Sequence, residues 1–193
     1  MNEGTKPVES DPDLVRRLQA GDLTAFDVLF EKYRRGMLGY VNGLVSDRGL
    51  AEDIVQECFA EMARRLDSLD PDRSVSGWLF RVARNRAIDA LRHRKFEVLP
   101  GDTYFRDGAR QPATGPHEGP AARMMEAEMQ ADIRQALDRL PDKDRDLLLL
   151  RFFGELTFEQ IARVLRRPLG TVLWRSQRIL ARLRLQLKTE NKR

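Results

Sequence analysis

Apolar residues recur at intervals of three and four through most of this chain, and wherever that spacing persists it places them along one side of a helix. The pattern predicts a first helix from Asp11, an N-cap ahead of Pro12 as a favoured first helical residue, to Gln19, closed near Gly21. Asp22 is placed to cap a second helix whose Leu23, Phe26, Leu29, Phe30, Tyr33, Met37, Leu38 and Val41 form a continuous stripe, weakened at its far end by Gly43. A third helix, from about Arg48 to Leu66, turns Leu50, Ile54, Val55, Cys58, Phe59, Met62 and Leu66 inward and Glu52, Asp53, Gln56, Glu57 and Glu61 outward. The Asp-, Ser- and Pro-bearing stretch Asp67–Ser76 reads as a loop able to start a helix near Ser76. The helix that follows, Trp78–Lys95, carries Trp78, Leu79, Val82, Ala83, Ile88 and Leu91 on its buried side and is polar elsewhere.

From Leu99 to about Ala122 the periodicity collapses into interleaved proline and glycine, which predicts a linker. A flexible coil of that length spans roughly 25 to 30 Å and stretches to about 80 Å, enough for two domains to hold sites several tens of ångströms apart. Helical patterning resumes near Arg123, with Ile133, Ala136, Leu137 and Leu140 on one side, before Pro141 opens another helix through Leu147 to Phe153, ended by Gly154. Thr157 and Gln160 then match the capping-box pattern of a helix from Phe158 to Leu165. After a break at Arg166–Pro168, a last helix starts between Pro168 and Thr171 with Val172, Ile179, Leu180 and Leu183 inward. No strand and no repeat is expected, so the fold class is all-α: two small helical domains joined by a flexible linker. The expected boundaries are a disordered tail over 1–10, a first domain over 11–98, a linker over 99–126, a second domain over 127–187 and a basic tail over 188–193.

Charge changes this picture more than composition does. The net charge of +4 hides an uneven distribution: residues 163–193 hold ten cationic side chains against Glu190 alone, and Trp78–Lys95 holds six against Asp89. Two separated basic elements on an otherwise acidic chain point to two nucleic-acid contacts. The short turn between Phe158–Leu165 and Gly170–Arg184 gives that pair the dimensions of a helix-turn-helix, whose second helix enters the major groove. Positions 171, 174, 175, 178 and 182 face outward, so Arg175, Arg178 and Arg182 can meet phosphates or guanine edges and Thr171 can anchor a phosphate. One cysteine, Cys58, and two histidines, His93 and His117, are too few for a structural zinc site, and no disulfide is possible within the chain. Cys58 falls on the apolar stripe and is read as core packing. No metal constellation, nucleophile triad or phosphate-cradling loop occurs, so no enzymatic activity and no cofactor is expected. The longest purely apolar run, Leu147–Leu150, cannot span a bilayer, and a cytoplasmic protein without membrane insertion is expected.

Two halves of the chain also resemble a known family. AEDIVQECFAEMARR is similar to the AED-VQE-F core-binding segment of the extracytoplasmic-function sigma factors of bacteria, and WLFRVARNRAIDALRHRK resembles the promoter-opening segment that follows it. ALDRLPDKDRDLLLLRFFGELTFEQIARVL and PLGTV resemble the helix-turn-helix domain of the same family. The likeness covers about 12–98 and 127–187, with the motifs in order and at the right separations. It implies an alternative sigma factor whose first domain holds the polymerase core and the promoter −10 element while the second reads the −35 element. Carried over residue by residue, core-polymerase docking falls to Asp53, Gln56 and Glu57. The −10 contacts fall to Ser74, Ser76, Arg81, Arg84, Asn85, Arg92 and His93, and the −35 contacts to Arg166, Arg167, Thr171, Leu173, Trp174, Arg175, Gln177, Arg178 and Arg182. The implied partners are the RNA polymerase core through its clamp and flap, promoter DNA and an anti-sigma factor.

The chain departs from the family pattern in three places. Arg166 stands in the turn where glycine is frequent, Leu173 and Trp174 stand where the recognition helix is commonly polar, and Ser176 occupies a usually apolar position. Leu173 and Trp174 either touch DNA, Leu173 at a thymine methyl, or pack against a protein partner. Two other functional readings compete. One is a sigma-like decoy that binds an anti-sigma factor without touching DNA, which has no need of arginines in both basic elements. The other is a stand-alone helix-turn-helix repressor, which accounts only for the C-terminal third.

Overall fold

The computed structural model describes residues 9–97 and 140–190. The predicted linker, the helical patterning through Ile133, Ala136 and Leu137, most of the predicted N-terminal tail and the last three residues of the predicted basic tail lie outside the described residues. Within them every regular element is helical: α1 (Asp11–Gln19), α2 (Thr24–Val45), α3 (Arg48–Arg64), a single 3-10 turn (Leu66–Ser68), α4 (Val75–Glu97), α5 (Asp142–Phe152), α6 (Phe158–Leu165) and α7 (Leu169–Glu190).

Local chemistry sets the helix starts, in two cases one or two residues from the expected place. Ser10, rather than Asp11, caps α1, its hydroxyl accepting the Asp13 amide. The Asp11 carboxylate is engaged elsewhere, by the Tyr33 hydroxyl and by Lys32 at 2.6 Å, and so ties α1 to α2. Asp22 takes both the amide and the hydroxyl of Thr24, so α2 begins at Thr24 and Leu23 is left outside it, 74% exposed instead of joining the stripe. Asp47 caps α3 through the Leu50 amide at 3.0 Å, and Ser74 accepts the Gly77 amide at 2.9 Å at the head of α4. The capping box of α6 is complete, with Thr157 accepting the Gln160 amide and Gln160 Oε1 accepting the Thr157 amide.

α1 to α4 form one bundle, with the aromatic cluster of Phe26, Phe30 and Phe59 at the meeting of α2 and α3. α5 to α7 form a second bundle that packs directly on the first, α5 against α2 and α6 against α4. One cluster of buried side chains runs through both, from Leu14 to Ile179. This arrangement widens the apolar face of α4 beyond the predicted stripe. Leu79 and Ala83 are buried as expected, but so are Phe80 and Ala87, while Trp78, Val82, Ile88 and Leu91 are half-buried. Phe80 meets Tyr40 of α2 edge-on with ring centroids 5.4 Å apart, and its ring also borders Gly154 of the second bundle. In α7 the expected inward positions Val172 and Ile179 are buried and Leu183 is partly so, whereas Leu180 is 46% exposed. Leu180 follows Ile179 directly, and one turn of an amphipathic helix admits only one of the two to a narrow core. No helix among the described residues is long and apolar enough to cross a membrane.

Candidate nucleic-acid interface

α4 presents fewer free cations than its sequence implies, because its basic side chains divide between neighbours and solvent. Arg86 leans onto α3, pairing with Glu57 and, at 3.7 Å, with Glu61, and Arg94 pairs with Asp47 at 2.5 Å. Arg84 points the other way and donates from Nε to Asp146 Oδ2 of α5 at 2.7 Å. What remains open is a strip formed by Arg81, Asn85, Arg92 and His93, all exposed, with Arg92 held 3.4 Å from Asp89 one turn away. Arg81 makes no ion pair among the described residues. Trp78 packs partly buried against the core, in keeping with its place at the start of the stripe.

At the head of α4 the hydroxyls of Ser74 and Ser76 lie 2.9 Å apart, and Gln160 Nε2 of α6 donates to Ser74 Oγ at 2.8 Å. Ser74 and Arg84, both expected among the −10 contacts, are therefore engaged by the second bundle. On α3, Asp53, Gln56 and Glu57 share one exposed arc, and among the described residues Glu57 alone of the three is engaged, by Arg86. Cys58 beside them is buried, and that burial pushes its thiol pKa up to about 12, which makes it a packing residue with little thiolate at neutral pH.

In the second bundle α6 and α7 form the expected helix-turn-helix. The turn depends on Arg166, which takes a left-handed conformation (φ 51°) as its amide closes α6 onto Ala162 and Arg163. Arg167, Gln177 and Arg182 are exposed and Thr171 is half-buried at the first turn of α7. Leu173 and Trp174 are exposed, 38% and 57%, and the Arg178 guanidinium sits over the Trp174 ring 4.9 Å from its centroid. Arg178 also reaches Asp144 of α5 at 3.0 Å, and Arg175 reaches the same carboxylate at 3.7 Å. Arg175 is thus half-buried rather than fully outward, and its Nε has no hydrogen-bond partner among the described residues. Ser176, the polar residue at an apolar position, is buried and satisfied by donating to the Leu173 carbonyl at 2.8 Å.

Sequence reasoning missed Asp144, Asp146 and Tyr40, which organise this surface from below, and gave Gln160 its capping role but not its contact with Ser74. Asp144 and Asp146 are buried, and Asp146 takes the Tyr40 hydroxyl at 2.8 Å on the oxygen opposite Arg84. Full burial, then the neighbouring Asp146 charge, holds the Tyr40 pKa well above its ordinary value, so the phenol stays a donor. The alternation of charges in DKDRD was visible, but a carboxylate on a helix surface is ordinarily solvated and nothing local marks it as buried.

Comparison with known proteins decides what this surface belongs to. The sigma-70 region 2 profile matches residues 29–97, and the sigma-70 region 4 profile matches residues 136–185. The RNA polymerase sigma-H factor of Pseudomonas aeruginosa is 36% identical over 169 residues, covering 85% of this chain and 86% of that protein. The ECF RNA polymerase sigma factor SigW of Bacillus subtilis is 30% identical over 177 residues, covering 90% and 95%. The chain belongs to the extracytoplasmic-function sigma factors. These are transcription regulators rather than enzymes. The fold agrees: the sigma factor RpoE, solved with the anti-sigma factor NepR from Bartonella quintana, has a TM-score of 0.63 at 22% identity, over 89% of this chain and 98% of that one. In this sigma factor the region 2 match takes in most of α2, α3 and α4, and the region 4 match takes in α5, α6 and most of α7.

Proposed function

We propose that this sigma factor directs bacterial RNA polymerase core to specific promoters through three separate faces and helps to open the −10 region. The exposed arc of Asp53, Gln56 and Glu57 on α3 docks on the polymerase clamp, and the second bundle engages the flap. Arg81, Arg84, Asn85, Arg92 and His93, with Ser74 and Ser76 at the helix head, serve the −10 strand, cations on phosphates and Asn85 on a base edge. Arg166, Arg167, Thr171, Leu173, Trp174, Arg175, Gln177, Arg178 and Arg182 form the −35 face, with Arg175 and Arg178 braced by Asp144. A base drawn out of the duplex loses stacking worth a few kcal/mol, and polar and cationic side chains on one rigid helix are the means of compensation.

The observation that carries this reading is the coexistence, on one fold matched by both sigma-70 regions, of an exposed Arg81–Asn85 strip on α4 and an exposed helix-turn-helix surface on α7. The exposed Leu173 and Trp174 favour contact with a partner, and Arg178 stacked on Trp174 keeps that indole on the recognition face. The protein works in the cytoplasm, where its polymerase is, and is held in check by an anti-sigma factor. Mapping transcription start sites after overexpression tests the reading. New starts should share a −35 and a −10 element at constant spacing. New starts without a shared element would reject it.

A further inference from the structure

The outward face of α7 carries an apolar pair in the part of the helix that would meet base edges. Val172, Ser176 and Ile179 set the buried side. At 3.6 residues per turn Trp174 falls on nearly the opposite side, with Leu173 next to it, and both are exposed. The indole is fixed in place: the Arg178 guanidinium lies over its ring, and the buried Asp144 carboxylate holds Arg178 at 3.0 Å. Gly170, one turn before Trp174, and Ala181, two turns after it, share that face and are exposed. A Cβ at Gly170 would meet nothing within 4 Å, so the small residues leave Leu173 and Trp174 projecting beyond their neighbours. Arg178 and Arg182 follow Trp174 one and two turns along, whereas Leu169 and Leu180, the other exposed leucines of α7, lie round toward the core side. A protein interface asks for roughly 800 Å² on each partner and a core depleted of charge. Two apolar side chains flanked by arginines fit a polyanion better.

We propose that Leu173 and Trp174 are specificity-determining residues that read the methyl groups of two thymines in neighbouring base pairs of the −35 element. The proposal rests on the −35 reading of α7 given above. The thymine C5 methyl is the one apolar feature that an unmodified base pair presents in the major groove. Thymine also offers O4 as an acceptor beside that methyl, and the indole has one donor and no acceptor. Adenine and cytosine would turn an amino group toward a ring that cannot accept from it, and guanine would set two acceptors against Leu173 with no donor. Each of those pairings desolvates a polar base edge without a partner, so the pair selects for thymine and against the other bases. Arg178 and Arg182, on the same side, hold flanking phosphates.

Changing the DNA rather than the protein tests this without disturbing the fold. The probe is a mapped promoter fragment, bound by core polymerase carrying the full chain, in which deoxyuridine replaces each −35 thymidine in turn. That exchange removes a methyl and leaves base pairing and every hydrogen-bonding group as they were. At two neighbouring positions it should weaken binding about fourfold each, the worth of one buried methyl group. Cytosine at either position should weaken binding further, and 5-methylcytosine there should recover about fourfold. Leu173→Ala and Trp174→Ala should each weaken binding to the thymine promoter and lose the deoxyuridine penalty at one of the two positions. Deoxyuridine as good as thymidine at every −35 position, or a full penalty kept by both alanine variants, would overturn the proposal. So would loss of core-polymerase binding by the alanine variants with no deoxyuridine penalty in the wild type, which would assign the pair to a protein partner. Equal binding of the native promoter and one with its −35 element scrambled would instead show that the −35 reading itself had failed, and the methyl reading with it.

Discussion

Arg84 Nε and Asp146 Oδ2 lie 2.7 Å apart although 62 positions separate them in the chain, so one hydrogen-bonded ion pair joins the helix of the first bundle to that of the second. The other oxygen of Asp146 takes the Tyr40 hydroxyl, which is fully buried. Tyr40→Phe keeps the ring against Phe80 but leaves the carboxylate short of a donor, at a cost of about 1–3 kcal/mol. Thermal unfolding should show the midpoint lowered by about 2–4 °C per kcal/mol lost. An unchanged midpoint would mean that water replaces the phenol and that the seam is wetter than described.

Arg166 offers a clean separation of stability from recognition. Its left-handed conformation costs about 1–3 kcal/mol for a residue with a Cβ, and glycine relieves that strain while losing about 0.4–1 kcal/mol through the freer unfolded chain. Arg166→Gly is therefore expected to leave the unfolding midpoint unchanged or raise it by a few degrees. If Arg166 also meets a phosphate, the same variant should weaken −35 duplex binding. A lower midpoint would show that the guanidinium contributes to the turn.

Much of the fold could be read from the spacing of apolar residues, because the cores of α1, α3 and α6 follow a single helical face. The capping box at Thr157 and Gln160 was equally legible, since its chemistry is confined to four consecutive residues. What escaped was non-local. Phe80 and Ala87 are buried because a second bundle covers α4, and Asp144 and Asp146 are buried because they answer arginines on other helices. The basic face of α4 was overcounted for the same reason: Arg86 and Arg94 look like exposed cations in sequence and are ties to α3 in the fold. The arc of Asp53, Gln56 and Glu57 was found because i, i+3, i+4 spacing alone places it.

Cys58 makes stability fall at alkaline pH. Its thiol, moved from 9.0 to about 12 by burial, keeps its proton in the folded chain while the unfolded chain has lost it. Between those values the native state binds more protons, so stability declines as pH rises, by up to about 1.4 kcal/mol per pH unit. Urea titrations at pH 8.0 and 9.8 should show this decline in the wild type and a shallower one in Cys58→Ala. At pH 8 iodoacetamide should label the native thiol far more slowly than the unfolded one. Equal labelling would contradict the burial.

Salt dependence measures how many arginines meet phosphate. With about six contacts, the logarithm of duplex affinity should fall against the logarithm of salt with a slope near −5. Replacing Arg182 by Gln should bring the slope nearer zero by about 1, whereas Arg86→Gln, which loosens only α4 from α3, should leave it unchanged. A wild-type slope near zero would remove the basic faces from the interface.

The most direct measurement is run-off transcription by purified core polymerase from one mapped promoter, with and without this chain. Transcripts should start at the mapped position only when the sigma factor is present. They should be lost when Arg178 and Arg182 are changed to Glu, and separately when Arg81 and Asn85 are changed to Glu and Ala. Initiation at that position without the chain, or undiminished initiation with both faces altered, would contradict the account.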